Sequence, residues 1–321
     1  MSGIARRAFV AAFVTLAAPV AAHAQSRVTL QVTDLSPRFL TFYEAAAQAD
    51  PDRRFALWKE HYGFAALPPV PEADSMARAM LDAAWPRYPE VMDRIRAGAA
   101  GMQPAPEPTL SAVADLLGVT DTITVRLLAY VGAREGNAFT NASRGLITVY
   151  VPVEEDPAWR ELVMVHEMTH AVHHRLAGYS EGWERSIGRT VFAEGLAARA
   201  TEALHPGRPA AAYLEHRPGW FAAAESHSAD ILRGILPHLR ASDSPAVMRF
   251  TMGTGSTGTE REAYFAGWLV IGHLLENGYT FPQLARIPES EAPALVEAAI
   301  REMLAQAGEQ EGPETAPERR W

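Results

Sequence analysis

The stretch Asp156-Pro-Ala-Trp-Arg-Glu-Leu-Val-Met-Val-His166-Glu167-Met-Thr-His170-Ala-Val-His173-His174-Arg-Leu-Ala-Gly178 decides how this chain is read. Asp156 followed by Pro157 is a helix start: a side-chain oxygen caps the first amides, and proline's missing N–H costs nothing at the first helical position. Gly178 is a helix stop. The pattern predicts one helix from Pro157 to about Leu176. On that helix His166 and His170 lie one turn apart on a single face, so both imidazoles can reach one metal ion. Glu167 is carried beside them, where a general base would act.

Two imidazoles leave such an ion short of a ligand, because catalytic zinc sites use three protein ligands and keep a fourth position for water. The chain has no cysteine, so the third ligand must be His, Asp or Glu. A metzincin would place glycine and histidine three and six residues after His170, but His173 and Leu176 stand there. His173 and His174 share the face of the two histidines. His173, however, is about 10.5 Å along the axis from His166, too far for all three to meet one ion. These two are read as polar residues supporting the site or the helix end. Glu181 and Glu184 fall in a polar loop and are read as solvated.

Glu194 is different. It lies on a second predicted helix, Ile187 to Leu204, with Thr190, Val191, Ala197 and Ala198 as its helical neighbours. A carboxylate on a small, mostly apolar face is costly unless it is paired or bound to metal. Sequence leaves both readings open. Gly195 beside it predicts a close approach between two helices.

Upstream of the motif, Thr122–Val131 and Gly145–Val153 are rich in Ile, Val, Leu and Thr and read as two strands, expected to pair antiparallel across a turn region with Gly132, Gly136, Asn137, Asn141 and Gly145. A sheet edge beside such a helix can bind an extended peptide by strand addition; two ordinary sheet strands are the alternative. Before them, Phe39 to Phe64 has aromatic residues at helical spacing, interrupted at Asp50-Pro51, and Asp74 to Gly98 is helical around Pro86 and Pro89. Leu110 to Leu117 reads as a short helix. After the second motif helix, helical patterns cover 210–225, 228–239, 244–250, 260–276 and 291–307.

His166-Glu-x-x-His170, followed on the next helix by Glu194-Gly-Leu-Ala, resembles the gluzincin metallopeptidases, and within them is most similar to the YjaZ-like bacterial zinc-dependent proteases. The similarity spans residues 120–280 and includes the strand pair and Tyr264-Phe-Ala-Gly-Trp268. It implies an α+β, zincin-like fold, with a small sheet preceding the metal helix and a mostly helical C-terminal part. It implies one Zn2+ held by His166, His170 and Glu194, with Glu167 as general base and a peptide or protein as substrate. Tyr264 starts a helix after a glycine-rich loop and matches the family's tyrosine, which makes it the candidate donor to the oxyanion. A core tyrosine with a hydrogen-bonded tip is the alternative. His227 and His273 are weaker candidates. The organisation expected is a signal peptide at 1–24, an N-terminal helical region at 25–118, a catalytic region at 119–307 and a disordered tail at 308–321.

Composition supports a soluble globular chain: 321 residues, 48% hydrophobic and 21% charged. A net charge of −9 argues against a nucleic-acid surface. Arg6-Arg7, the apolar run Ala8–Ala22 and the small-x-small Ala22-His23-Ala24 read as an export signal, placing the mature protein in the periplasm or outside the cell. No later apolar run is long enough to span a bilayer. Gly253-x-Gly255-x-x-Gly258 fits a dinucleotide fingerprint, but no strand is expected after the helix that follows, so it reads as a hinged loop at the cleft. The rival to an enzyme is a non-hydrolytic zinc-binding or scaffold protein of the cell envelope. Glu167 argues for the enzyme, since a site that only holds metal has no need of it.

Overall fold

The computed structural model describes residues 27–67, 70–182 and 184–310, with the backbone alone for 308–310. The leader expected at 1–24 lies outside the described residues. So does the tail beyond Gln310.

Strand β1 (Val28–Asp34) opens the described chain and is followed by helices α1 (Ser36–Ala45), α2 (Pro51–His61), α3 (Ala73–Ala84), α4 (Met92–Ala97) and α5 (Pro106–Leu116). Three strands come next: β2 (Ile123–Tyr130), β3 (Phe139–Ser143) and β4 (Leu146–Pro152). The two motif helices are α6 (Pro157–Ala177) and α7 (Ile187–Leu204). The rest is helical: α8 (Ala211–Leu214), α9 (Trp220–Ser226), α10 (Ser228–Ile235), α11 (Ser244–Thr251), α12 (Glu262–Glu276), α13 (Phe281–Leu284) and α14 (Ala292–Gln310). The protein is thus α+β with a small mixed sheet. Helix α14 runs on to Gln310, into the segment expected to be disordered.

The sheet corrects the strand reading. Its order is β1-β2-β4-β3, and β2 and β4 are parallel neighbours rather than an antiparallel pair. The segment expected to be a turn contains β3, which pairs antiparallel with β4 through the two-residue turn Arg144-Gly145, both at positive φ. The chain therefore reverses direction twice between β2 and β4, and two reversals make them parallel. Strand β1 belongs to a region expected to be helical, and it pairs in parallel with β2, Val28 opposite Ile123.

Alternation explains the inner face. Ile123, Val125, Leu127 and Ala129 of β2 are buried, as are Ile147, Val149 and Val151 of β4, while Thr124 and Arg126 point outward. One apolar cluster runs from Val28 to Ile300, joining the N-terminal helices, the sheet and the C-terminal helices. Its N-terminal part is aromatic, with Phe39 set edge-on against Phe42, Tyr62 and Tyr88. These rings are core, as their spacing predicts.

The helix boundaries follow the capping residues. Asp156 Oδ1 accepts from Ala158 N at 2.8 Å to start α6, and Gly178 ends it at φ +64. Ser186 Oγ accepts from Arg189 N to start α7. The helix expected over 210–225 is broken between α8 and α9, where Pro218-Gly219 cannot continue it. Helices α7 and α12 pack face to face at Gly195 and Gly267: a methyl group on either would run into the other helix's backbone, at Gly267 O for Gly195 and at Val191 O for Gly267. The close approach expected at Gly195 is present.

Candidate metal centre

Helices α6 and α7 pack side by side, and this brings three ligand atoms to one point. His166 Nε2 and His170 Nε2 are 3.1 Å apart, and each is 3.2 Å from Glu194 Oε2. Glu194 is buried, with its side chain only 8% exposed, while the two imidazoles keep a solvent-facing edge. Among the described residues these three form the group of His, Asp and Glu side chains able to hold a metal ion.

The donor set and its spacing fit such an ion. Ligands held tetrahedrally at about 2.1 Å from one centre lie roughly 3.4 Å from each other, close to the triangle observed. Three basic atoms aimed at one another also require positive charge between them, supplied by a proton or by a metal. Burial would push the Glu194 carboxyl up. The charge of His170 and the hydrogen bonds from both imidazoles outweigh burial and hold it well below the usual carboxylate range, in its ligating form.

Glu167 points to the sheet side of α6. Thr140 Oγ1, on β3, lies 2.9 Å from Glu167 Oε2 and 2.8 Å from the Glu167 main-chain carbonyl. Burial pushes the Glu167 carboxyl up to about 7; the positive charge of His166 opposes this and the negative charge of Glu194 adds to it. A group poised there suits proton transfer near neutrality.

Tyr264 is the third residue of α12, partly buried, with the Arg261 guanidinium stacked 3.9 Å over its ring. Its hydroxyl is pushed up to about 12, first by burial and then by the negative charge of Glu194.

The remaining candidates lie elsewhere. His173 is buried against Tyr179 and Phe192, and burial pushes it down to about 3, so it is neutral and outside the ligand group. His273 pairs with Glu302 on α14. His227 caps its own helix end through Ala223 O. Exposed Glu181 has a definite role: its carboxylate accepts from Arg144 N and Gly145 N, tying the loop after α6 to the β3–β4 turn. Glu184 accepts from Ser244 Oγ.

The glycine-rich loop holds a carboxylate of its own chain. Ser256 N and Oγ donate to Glu262 Oε2 at 2.8 Å, and Thr257 N and Oγ1 donate to Oε1 at 2.7 Å. Gly255, at φ +53, leaves the space that Glu262 fills. The amides that would cradle a phosphate in a dinucleotide site are therefore occupied by buried Glu262, and the helices α13 and α14, not a strand, follow α12.

Two residues of the centre escaped the sequence reading. Thr140 fell in the segment expected to be a turn, and only weak alternation in Phe139-Thr-Asn-Ala-Ser marked it as strand. Arg185, in the loop before α7, lowers the Glu167 carboxyl and the Tyr264 hydroxyl through its charge, which no local pattern announces. In comparison with known proteins, the chain matches no protein-family model and no curated sequence.

Proposed function

We propose that the protein is an exported, zinc-dependent metallopeptidase of gluzincin type with a zincin-like fold. The observation that carries this reading is the convergence of His166, His170 and Glu194 with a carboxylate, Glu167, on the same helix and outside the ligand set. Two imidazoles and one carboxylate are the ligands of a catalytic zinc that keeps one position open.

When bound, zinc polarises a carbonyl and makes water acidic enough to attack near neutral pH. Glu167 then takes the proton from the attacking water and hands it to the leaving amine nitrogen. Tyr264 donates to the oxygen that gains negative charge, and such a donor is worth on the order of 3 kcal/mol in other enzymes. Strand β3 ends the sheet beside α6, so an extended peptide can add to it and be carried past the ligand group. Gly195 allows α12, and with it Tyr264, to pack tightly against the helix that bears Glu194.

The test is hydrolysis of fluorescently labelled casein by the zinc-loaded protein. The reading requires turnover that is lost in Glu167→Gln while stoichiometric zinc is retained. Zinc bound with no turnover on casein or a peptide library would support the non-hydrolytic envelope protein in its place.

A further inference from the structure

We infer that Thr140 is a positioning residue for Glu167, holding its carboxylate on the sheet side of the ligand group; this rests on the peptidase reading above. The hydroxyl sits between two acceptors of one residue, Glu167 Oε2 at 2.9 Å and Glu167 O at 2.8 Å. A hydroxyl has one proton to donate and can also accept. It therefore ties the Glu167 side chain to the Glu167 backbone.

With Glu167 ionised, Thr140 Oγ1–H donates to Oε2, a charge-assisted bond that fixes the carboxylate plane.

The position of Thr140 gives the contact a second consequence. Thr140 is the second residue of β3, paired with Val149, on the strand that would receive the peptide. The strand that aligns the substrate thus also sets the angle of the base. Glu167 is buried, and the Thr140 hydroxyl donates to its carboxylate there.

The experiment compares zinc-loaded wild type, Thr140→Val and Thr140→Ser. Valine keeps the shape and suits a strand, and serine keeps the hydroxyl. On a quenched fluorescent peptide cleaved by the wild type, Thr140→Val is expected to lower kcat about tenfold to a hundredfold, the range seen when an outer partner of a metal-site residue is removed. KM, zinc stoichiometry and Tm should stay near wild type, and Thr140→Ser should recover most of kcat. Crystal structures of the three zinc-loaded proteins give a readout that does not depend on turnover. Glu167 should hold one carboxylate orientation in wild type and Thr140→Ser and lose it in Thr140→Val. An unchanged Glu167 orientation in Thr140→Val overturns the inference, as does a serine variant as impaired as valine. If no protein cleaves any peptide but the orientation still depends on the hydroxyl, the peptidase reading fails and the positioning role stands.

Discussion

His166 Nε2 lies 3.2 Å from Glu194 Oε2 across 28 residues of sequence, in the groove between α6 and α7. The contact joins the helix that carries the base to the helix that packs on α12. On the peptidase reading proposed above, metal binding, stability and turnover would all pass through it, and substitutions separate them.

Removing the metal should loosen this groove. A ligand that binds only the folded state stabilises it by RT ln(1 + [L]/Kd), about 4 kcal/mol when zinc stands at a thousand times its Kd. Chelation is therefore expected to lower Tm by several degrees and to abolish casein hydrolysis, with both restored by added zinc. Differential scanning calorimetry with and without chelator checks this, and an identical Tm in the two would argue that the group binds no zinc.

Glu194→Ala should separate ligand from base. It leaves two imidazoles and no third ligand, so zinc measured by elemental analysis after dialysis should fall well below one per chain. Glu167→Gln should do the reverse. Its side chain is outside the ligand group, so zinc stays stoichiometric while kcat drops about 100-fold to 10,000-fold, the usual worth of a general base.

Gly195→Ala tests the helix contact. The added methyl meets the Gly267 carbonyl, which belongs to a helix backbone and has no rotamer to move into. Overpacking of this kind costs about 1–3 kcal/mol. The denaturation midpoint should fall with the slope unchanged. Because the neighbouring residue is Glu194, zinc affinity should weaken as well, and Gly267→Ala should reproduce both effects from the other helix.

The pH dependence of stability should carry the mark of Glu154. Its carboxyl is fully buried and accepts from Gly132 N, and burial, with the nearby charges of Glu155 and Glu135, raises it from 4.5 to about 8. A folded-state value above the unfolded one means the folded protein binds the extra proton. The stabilisation is complete below about pH 4.5 and is lost as pH rises through about 8. Urea denaturation of wild type should therefore show stability declining between these values relative to Glu154→Gln, which has no proton to lose. Parallel curves for the two proteins would sink the argument.

Nucleotide binding should be absent at the glycine-rich loop. Glu262 already takes two amide and two hydroxyl donors there. Titration with NAD, followed by calorimetry, should give no saturable heat. Glu262→Ala should lower Tm, because the two amides and two hydroxyls that donate to it lose that acceptor.

Much of the candidate site was legible locally. Asp156-Pro157 and Gly178 bound the metal helix, and Ser186 and the end at Leu204 bound the next one, because caps and breakers act within a turn of the residues they affect. The i, i+4 histidines share a face for the same reason. Burial of Glu194 among small residues was legible too, as was the glycine contact of α7. Strand β1 carries a local signal as well, in the alternating Val28, Leu30 and Val32.

The direction and partners of the strands were not legible. Alternation tells that β2 and β4 are half-buried strands, but it is the same for parallel and antiparallel pairing. Only the folded chain, by placing β3 at the far side of β4, decides that β2 and β4 run the same way. The same holds at Thr140, whose hydroxyl meets Glu167 because the edge strand lies on α6.

For this protein, then, sequence alone determined the capped helices, the paired histidines and the carboxylate of Glu167 beside them, since these depend on residues a few positions apart. The tertiary structure decided that Glu194 closes the ligand triangle, that Thr140 bonds to Glu167 and that Glu262 fills its glycine loop. Those contacts join residues that backbone geometry does not link, and only the packing of helices and sheet around a shared core brings them within hydrogen-bonding distance.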